Sequence, residues 1–190
     1  MAAPVVMLMP IWLWSGYICE AFPSTTSASI FSHSNSTQHS HTGLATSAAG
    51  VMALLDQFVG KWLEDKKEGF ACLADALGLS PEQRAFFENS QSELSYQRDG
   101  DTWTIQVGIV GVPQNTTFTF KLGETYDSTN IDGSPLKSVI RQDGDRLVER
   151  HENNGQRTFV MDIVREVTND VMNATTTIGG ISMQTIYRRS

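Results

Sequence analysis

The chain has 190 residues, 40% of them hydrophobic and 18% charged, enough for one well-buried core. A net charge of −7, with no basic stripe carrying interleaved aromatics, argues against nucleic acid as a partner. Two cysteines, Cys19 and Cys72, make neither a disulfide framework nor a metal-ligand spacing.

Charge is unevenly placed: residues 1–50 contain a single charged side chain, Glu20. Residues 4–19 carry no charge at all but are short for a membrane span, and Pro10 would bend a helix there. They fit better as the apolar region of a secretory signal within a leader of residues 1–22, cleaved after Ala21, although the basic start of such a signal is missing. A weak anchor, or a first exon that is not truly coding, are the alternatives. Residues 23–54 are dominated by Ser, Thr, Ala and His, too polar to offset the entropy of ordering, and read as a disordered linker. His33, His39 and His41 lie in that tract without a Cys or carboxylate partner, so no metal site is expected.

From about Leu55 the texture changes. Phe58 to Leu63 reads as a first strand. Lys67 to Leu77 then places Phe70, Leu73, Ala74 and Leu77 on one helical face, with Gly78 as a stop. Cys72 lies on the apolar side of this helix and reads as a packed thiol. Ser80-Pro81-Glu82-Gln83 has the form of an N-cap with proline at the first helical position, opening a second helix to about Asn89. After that, helical spacing ends. Turns at Asp99-Gly100, Asp132-Gly133, Asp143-Gly144, Asn154-Gly155 and Gly179-Gly180 separate nine more strands: 94–98, 102–108, 116–122, 125–130, 136–142, 147–152, 158–165, 171–177 and 181–188.

Trp103, Ile105 and Val107 alternate with Thr102, Thr104 and Gln106, and Phe118 and Phe120 with Thr117 and Thr119. A face rich in Thr and Gln rather than Lys and Glu suits a barrel with a semi-polar lumen. The expected architecture is a ten-stranded antiparallel up-and-down β-barrel with two helices inserted after the first strand, a β-sandwich being the alternative. Such a barrel would act through a cavity and a few polar groups inside it. An acidic amphiphile would need a buried guanidinium, helped by a hydroxyl. Arg165, flanked by apolar Val164 and Val167, and Tyr187 are the candidates on late strands; Arg157, Arg188 and Arg189 sit at turn or terminal positions.

Several stretches resemble the fatty-acid-binding protein family of intracellular lipid carriers, a branch of the calycin superfamily. Phe58-Val59-Gly60-Lys61-Trp62 is similar to the family's opening strand, and Phe70 through Gly78 to its first helix. Leu122-Gly123-Glu124, Asp132-Gly133, Lys137-Ser138 and Asp143 through Val148 resemble its central run, and Ile163 through Glu166 its arginine-bearing segment. The resemblance covers about residues 55–190 and implies a lipid carrier with no catalytic residue, cofactor or metal. It also implies a cytoplasmic monomer, or a secreted one if residues 1–21 act as a signal. In the family two arginines and a tyrosine commonly hold the ligand carboxylate. Arg165 and Tyr187 carry over, whereas the second arginine position holds Thr185. Phe70, Phe86, Trp103, Phe118, Phe120 and Tyr126 are the expected wall residues, though each could equally serve ordinary core packing. The helix pair resembles the family's lid, but its second helix offers Arg84 against Glu82 and Glu88, which implies at most transient membrane contact.

Two rival classes remain. His151 is the one histidine of the expected barrel and lacks a Gly-x-Ser-x-Gly elbow, which leaves a hydrolase little to stand on. A secreted barrel acting in protein interaction, its lumen filled by side chains, is the alternative to the carrier.

Overall fold

The computed structural model describes residues 54–130, 133–153 and 158–190. The apolar leader and, except for Leu54, the Ser/Thr/His-rich linker lie outside the described residues. A short turn of 3₁₀ helix, Asp56–Phe58, leads into β1 (Gly60–Glu68), α1 (Phe70–Leu77) and α2 (Pro81–Asn89). Nine strands follow: β2 (Ser92–Asp99), β3 (Thr102–Ile109), β4 (Thr116–Lys121), β5 (Thr125–Thr129), β6 (Pro135–Asp143), β7 (Arg146–Asn153), β8 (Phe159–Thr168), β9 (Val171–Ile178) and β10 (Ile181–Arg189). They form one antiparallel sheet in the order β4-β3-β2-β1-β10-β9-β8-β7-β6-β5. The sheet curls into a nearly closed ten-stranded barrel with the two helices between β1 and β2, as the alternation and turn chemistry imply.

The main departure from the expected elements is at the first helix. The spacing places its start at Lys67, but β1 continues through Glu68 and α1 begins at Phe70. A bulge between Glu64 and Lys66 accounts for the difference. It inserts a residue into the β1–β10 ladder, so Glu64 before it and Lys67 after it both face inward. Gly69 then turns the chain with φ 78°, and a Cβ there would meet the Ser182 carbonyl oxygen at 2.7 Å. Only glycine suits that junction. The second helix opens on a full capping box: Ser80 Oγ accepts from the Gln83 amide and Gln83 Oε1 from the Ser80 amide.

The packed core lies beside the cavity described below. Phe58, Trp62, Tyr96, Trp103, Phe120, Leu147 and Met172 are its large members. Trp62 Nε1 donates to the Phe58 carbonyl at 2.8 Å. The Arg189 guanidinium stacks 4.3 Å from the Trp62 ring and donates to the carbonyls of Gln57 and Val59, tying the last strand to the entry of the first. Arg188 pairs with Asp65 on the outer surface. Cys72, half-buried on α1, is disulfide-bonded and not the packed thiol that the helical pattern suggests. No helix of the described residues is long and apolar enough to cross a membrane.

Candidate functional site

Period-two alternation decides which side chains reach the interior. It turns Leu136, Ser138 and Ile140 of β6 inward, Leu147, Glu149, His151 and Asn153 of β7, and Ile163 and Arg165 of β8. Met172, Ala174 and Thr176 of β9 and Thr185 and Tyr187 of β10 complete the set on that side. Between these strands and the inner faces of α1 and α2 is a cavity of about 460 Å³, within the usual range for a small-molecule site. Phe70, Leu73 and Leu77 of α1 and Phe87 of α2 form its helical wall; Ile105, Phe118, Leu136 and Ile163 are among its apolar strand residues.

Of the residues singled out in the sequence, Arg165, Tyr187, Thr185, Phe70, Phe118 and Tyr126 line this cavity. Trp103 and Phe120 lie instead in the packed core, nearly parallel with centroids 6.5 Å apart. Phe86 is 49% exposed, because α2 presents Phe87 to the cavity and Phe86 to the outside. Register explains the polar grouping. Arg165 sits opposite Ala174, which sits opposite Thr185, and Tyr187 is two residues beyond Thr185 on the same face. The small Ala174 leaves the guanidinium room between its neighbours.

The cavity also holds groups that the sequence reading did not assign to it. Glu149, 3% exposed, lies diagonally across the β7–β8 ladder from Arg165. Its Oε1 accepts from Arg165 Nε at 2.5 Å, and its Oε2 pairs with His151 Nε2 at 3.1 Å. With a carboxylate as partner, Nε2 carries the hydrogen, so His151 Nδ1 accepts from Ser138 Oγ at 2.6 Å. Ser128 Oγ, 2.5 Å from Ser138 Oγ, completes the track. On the other side the Tyr187 hydroxyl lies 3.2 Å from Ser92 Oγ, which donates to Glu64 Oε2 at 2.6 Å. Lys67 pairs with Glu64 at 2.9 Å and donates to the carbonyls of Phe87 and Ser90 at the end of α2. A polar track thus runs from the lid to β5 through an otherwise apolar interior.

Its electrostatics are balanced. The charged residues of the wall are Glu64, Lys67, Glu149 and Arg165, two of each sign. Burial pushes the Glu149 carboxyl up, but Arg165 and the His151 hydrogen bond outweigh it and hold the group at about 2. Burial disfavours the charged Arg165, and Glu149 overrides it, so the guanidinium is more firmly protonated than usual. The Tyr96, Tyr126 and Tyr187 hydroxyls are all pushed up, chiefly by burial, and stay neutral. Among the described residues, two buried polar atoms have no hydrogen-bond partner: Arg165 Nη1 and the Tyr96 hydroxyl. An unpaired guanidinium nitrogen at such a depth is a donor waiting for an acceptor.

Comparison with known proteins shows homology over the folded part of the chain. A fatty-acid-binding protein of Schistosoma japonicum is 29% identical over 135 residues, 71% of this chain and 99% of that protein. A solved Schistosoma mansoni fatty-acid-binding protein in complex with arachidonic acid superposes with a TM-score of 0.66 at 28% identity, over 72% of this chain and 98% of that one. The folded part of this chain is homologous to the fatty-acid-binding proteins. Another solved member, from brain tissue of Drosophila melanogaster, is 29% identical with a TM-score of 0.61, over 69% of this chain and 98% of its own. No protein-family profile matches. The family consists of non-enzymatic binding proteins, and the geometry agrees with that. Ser138, His151 and Glu149 have the composition of a hydrolytic triad, but Ser138 is 1% exposed and is not part of the cavity wall. A substrate carbonyl in the cavity would not meet it.

Proposed function

We propose that the protein binds and carries long-chain fatty acids or similar small hydrophobic acids, one amphiphile lying in the barrel with its head group at Arg165 and Tyr187. The observation that carries this reading is the unpaired Nη1 of buried Arg165 at the wall of a largely apolar cavity. A ligand carboxyl oxygen satisfies that donor, with the Tyr187 and Thr185 hydroxyls nearby. Phe70, Leu73, Phe87, Phe118 and Tyr126 would take the hydrocarbon chain. Exchange proceeds by diffusion, because the outer surface of α2 offers Arg84 beside Glu82 and Glu88 and so no net positive face. The carrier acts as a monomer, as the family likeness suggests.

Native mass spectrometry of the full chain tests this, as purified and after addition of oleate, beside Arg165→Ala. Lipid bound by the parent and lost or much weakened in the variant supports the carrier and its head-group site. Lipid retained by the variant keeps the carrier and removes Arg165 from the head group. A folded barrel that takes no lipid in any sample points to the interaction module instead.

A further inference from the structure

Glu149 raises a problem for any acidic ligand. The wall of the cavity is already neutral, with Arg165 paired to Glu149 and Lys67 to Glu64. A bare carboxylate at Arg165 would be a second anion against one guanidinium, beside a Glu149 that is itself 3% exposed. Two carboxyls that share one cation at that depth do not both ionise; they share a proton instead. The other charged groups of the wall are already engaged. Facing Glu149 are His151 on its own strand, Arg165 from β8, Tyr96 from β2 and Tyr126 from β5, with Tyr187 from β10 beside Arg165. The three phenols are neutral, and His151 already spends both ring nitrogens on Glu149 and Ser138. Thr185, on β10 opposite Ala174, is 4% exposed and uncharged.

Resting on the carrier reading, we propose that Glu149 sets the head-group selectivity. A long-chain acid enters together with one proton, held between its carboxyl and Glu149, and uncharged head groups that both donate and accept are preferred to bare carboxylates. The proton comes from solvent, and no covalent bond forms or breaks. An undissociated acid, a primary alcohol or a primary amide can accept from Arg165 Nη1 while donating to Glu149. A carboxylate can only accept, and it turns its charge toward Glu149.

Isothermal titration of the full chain with dodecanoate, in two buffers of unlike ionisation enthalpy at about pH 8, reads the proton count directly. Uptake close to one proton per ligand is expected. The dodecanoate affinity should weaken about tenfold from about pH 7 to about pH 8, while that for 1-dodecanol stays flat. In Glu149→Gln the uptake should vanish and dodecanoate should gain on dodecanol. Dodecanoate that binds the parent chain without proton uptake, and more tightly than dodecanol, overturns the proposal and leaves the carrier standing. Failure of both ligands to bind overturns the carrier reading, and this proposal with it. Should Glu149→Gln not fold, the buffer comparison on the parent chain decides alone.

Discussion

Replacing Arg165 by methionine separates the two things its guanidinium does. The methionine fills a similar volume, but Glu149, 3% exposed, is left as a buried anion with only His151 beside it. Removing one partner of a buried pair costs about 3–5 kcal/mol. The pH dependence of stability gives an independent measure. A carboxyl held at about 2 instead of its ordinary 4.5 contributes on the order of 3 kcal/mol at neutral pH. Because the folded value is depressed, that contribution is complete above the ordinary value and drains away as pH falls toward 2. Without Arg165 the sign reverses. Burial then dominates, Glu149 prefers its protonated form, and the variant gains stability as pH falls from about 7 to about 5. Urea unfolding followed by the emission of buried Trp62 and Trp103 measures this at several pH values. The parent should show a flat midpoint over that range, the Arg165→Met variant a midpoint that rises on acidification. The double variant Arg165→Met/Glu149→Gln should recover most of the loss at neutral pH, since Gln keeps an acceptor for His151. A loss below about 1 kcal/mol, or one equal at all pH values, refutes the buried-pair reasoning.

The remaining predictions concern the lid. Gly69→Ala forces a side chain into φ 78° and against the Ser182 carbonyl at 2.7 Å, so it should lower stability by about 1–3 kcal/mol. An unchanged thermal midpoint would show that the β1–α1 junction yields freely. Ser80→Ala removes the cap oxygen of α2 and half of its reciprocal box, a loss of about 1 kcal/mol. The effect should be local, with faster amide exchange in residues 81–89 and unchanged protection in β7 and β8. Loss of protection spreading into the barrel would mean that the lid and barrel unfold as one unit.

Much of the fold was legible because its signals are local. The turns at Asp99-Gly100, Asp143-Gly144 and Gly179-Gly180 each join a hairpin, and Ser80-Pro81 with Gln83 at the third helical position announces α2 on chemistry alone. The β1 bulge was not legible, since nothing in the charged run from Glu64 to Glu68 says that two of its members face inward. Packing decided that: the lid must be held, and Lys67 reaches both Glu64 and the last carbonyls of α2. Aromatic residues divided unevenly for a similar reason. Trp103 and Phe120 have the alternation of cavity residues, yet their strands pass the core first, while Phe118, on the same strand as Phe120, and Tyr126, on β5, reach the open space.

Glu149 and His151 are the instructive omissions. Counting in twos from the obviously apolar Leu147 places both inside the barrel, so the signal was present. Charged strand residues are usually solvated, and that rule fails wherever one buried charge recruits another. Once Arg165 is set inside, a carboxylate within reach is what a low-dielectric interior demands when no ligand is bound. The same reasoning links the head-group chemistry to the empty site. A cavity that keeps its guanidinium bare would bind an anion most strongly, but would carry an unpaired buried charge in the ligand-free protein. A cavity that pairs it internally is sounder when empty, and accepts an acid only with a proton. The geometry around Arg165, with Nε given to Glu149 and Nη1 left unpaired, is the second arrangement.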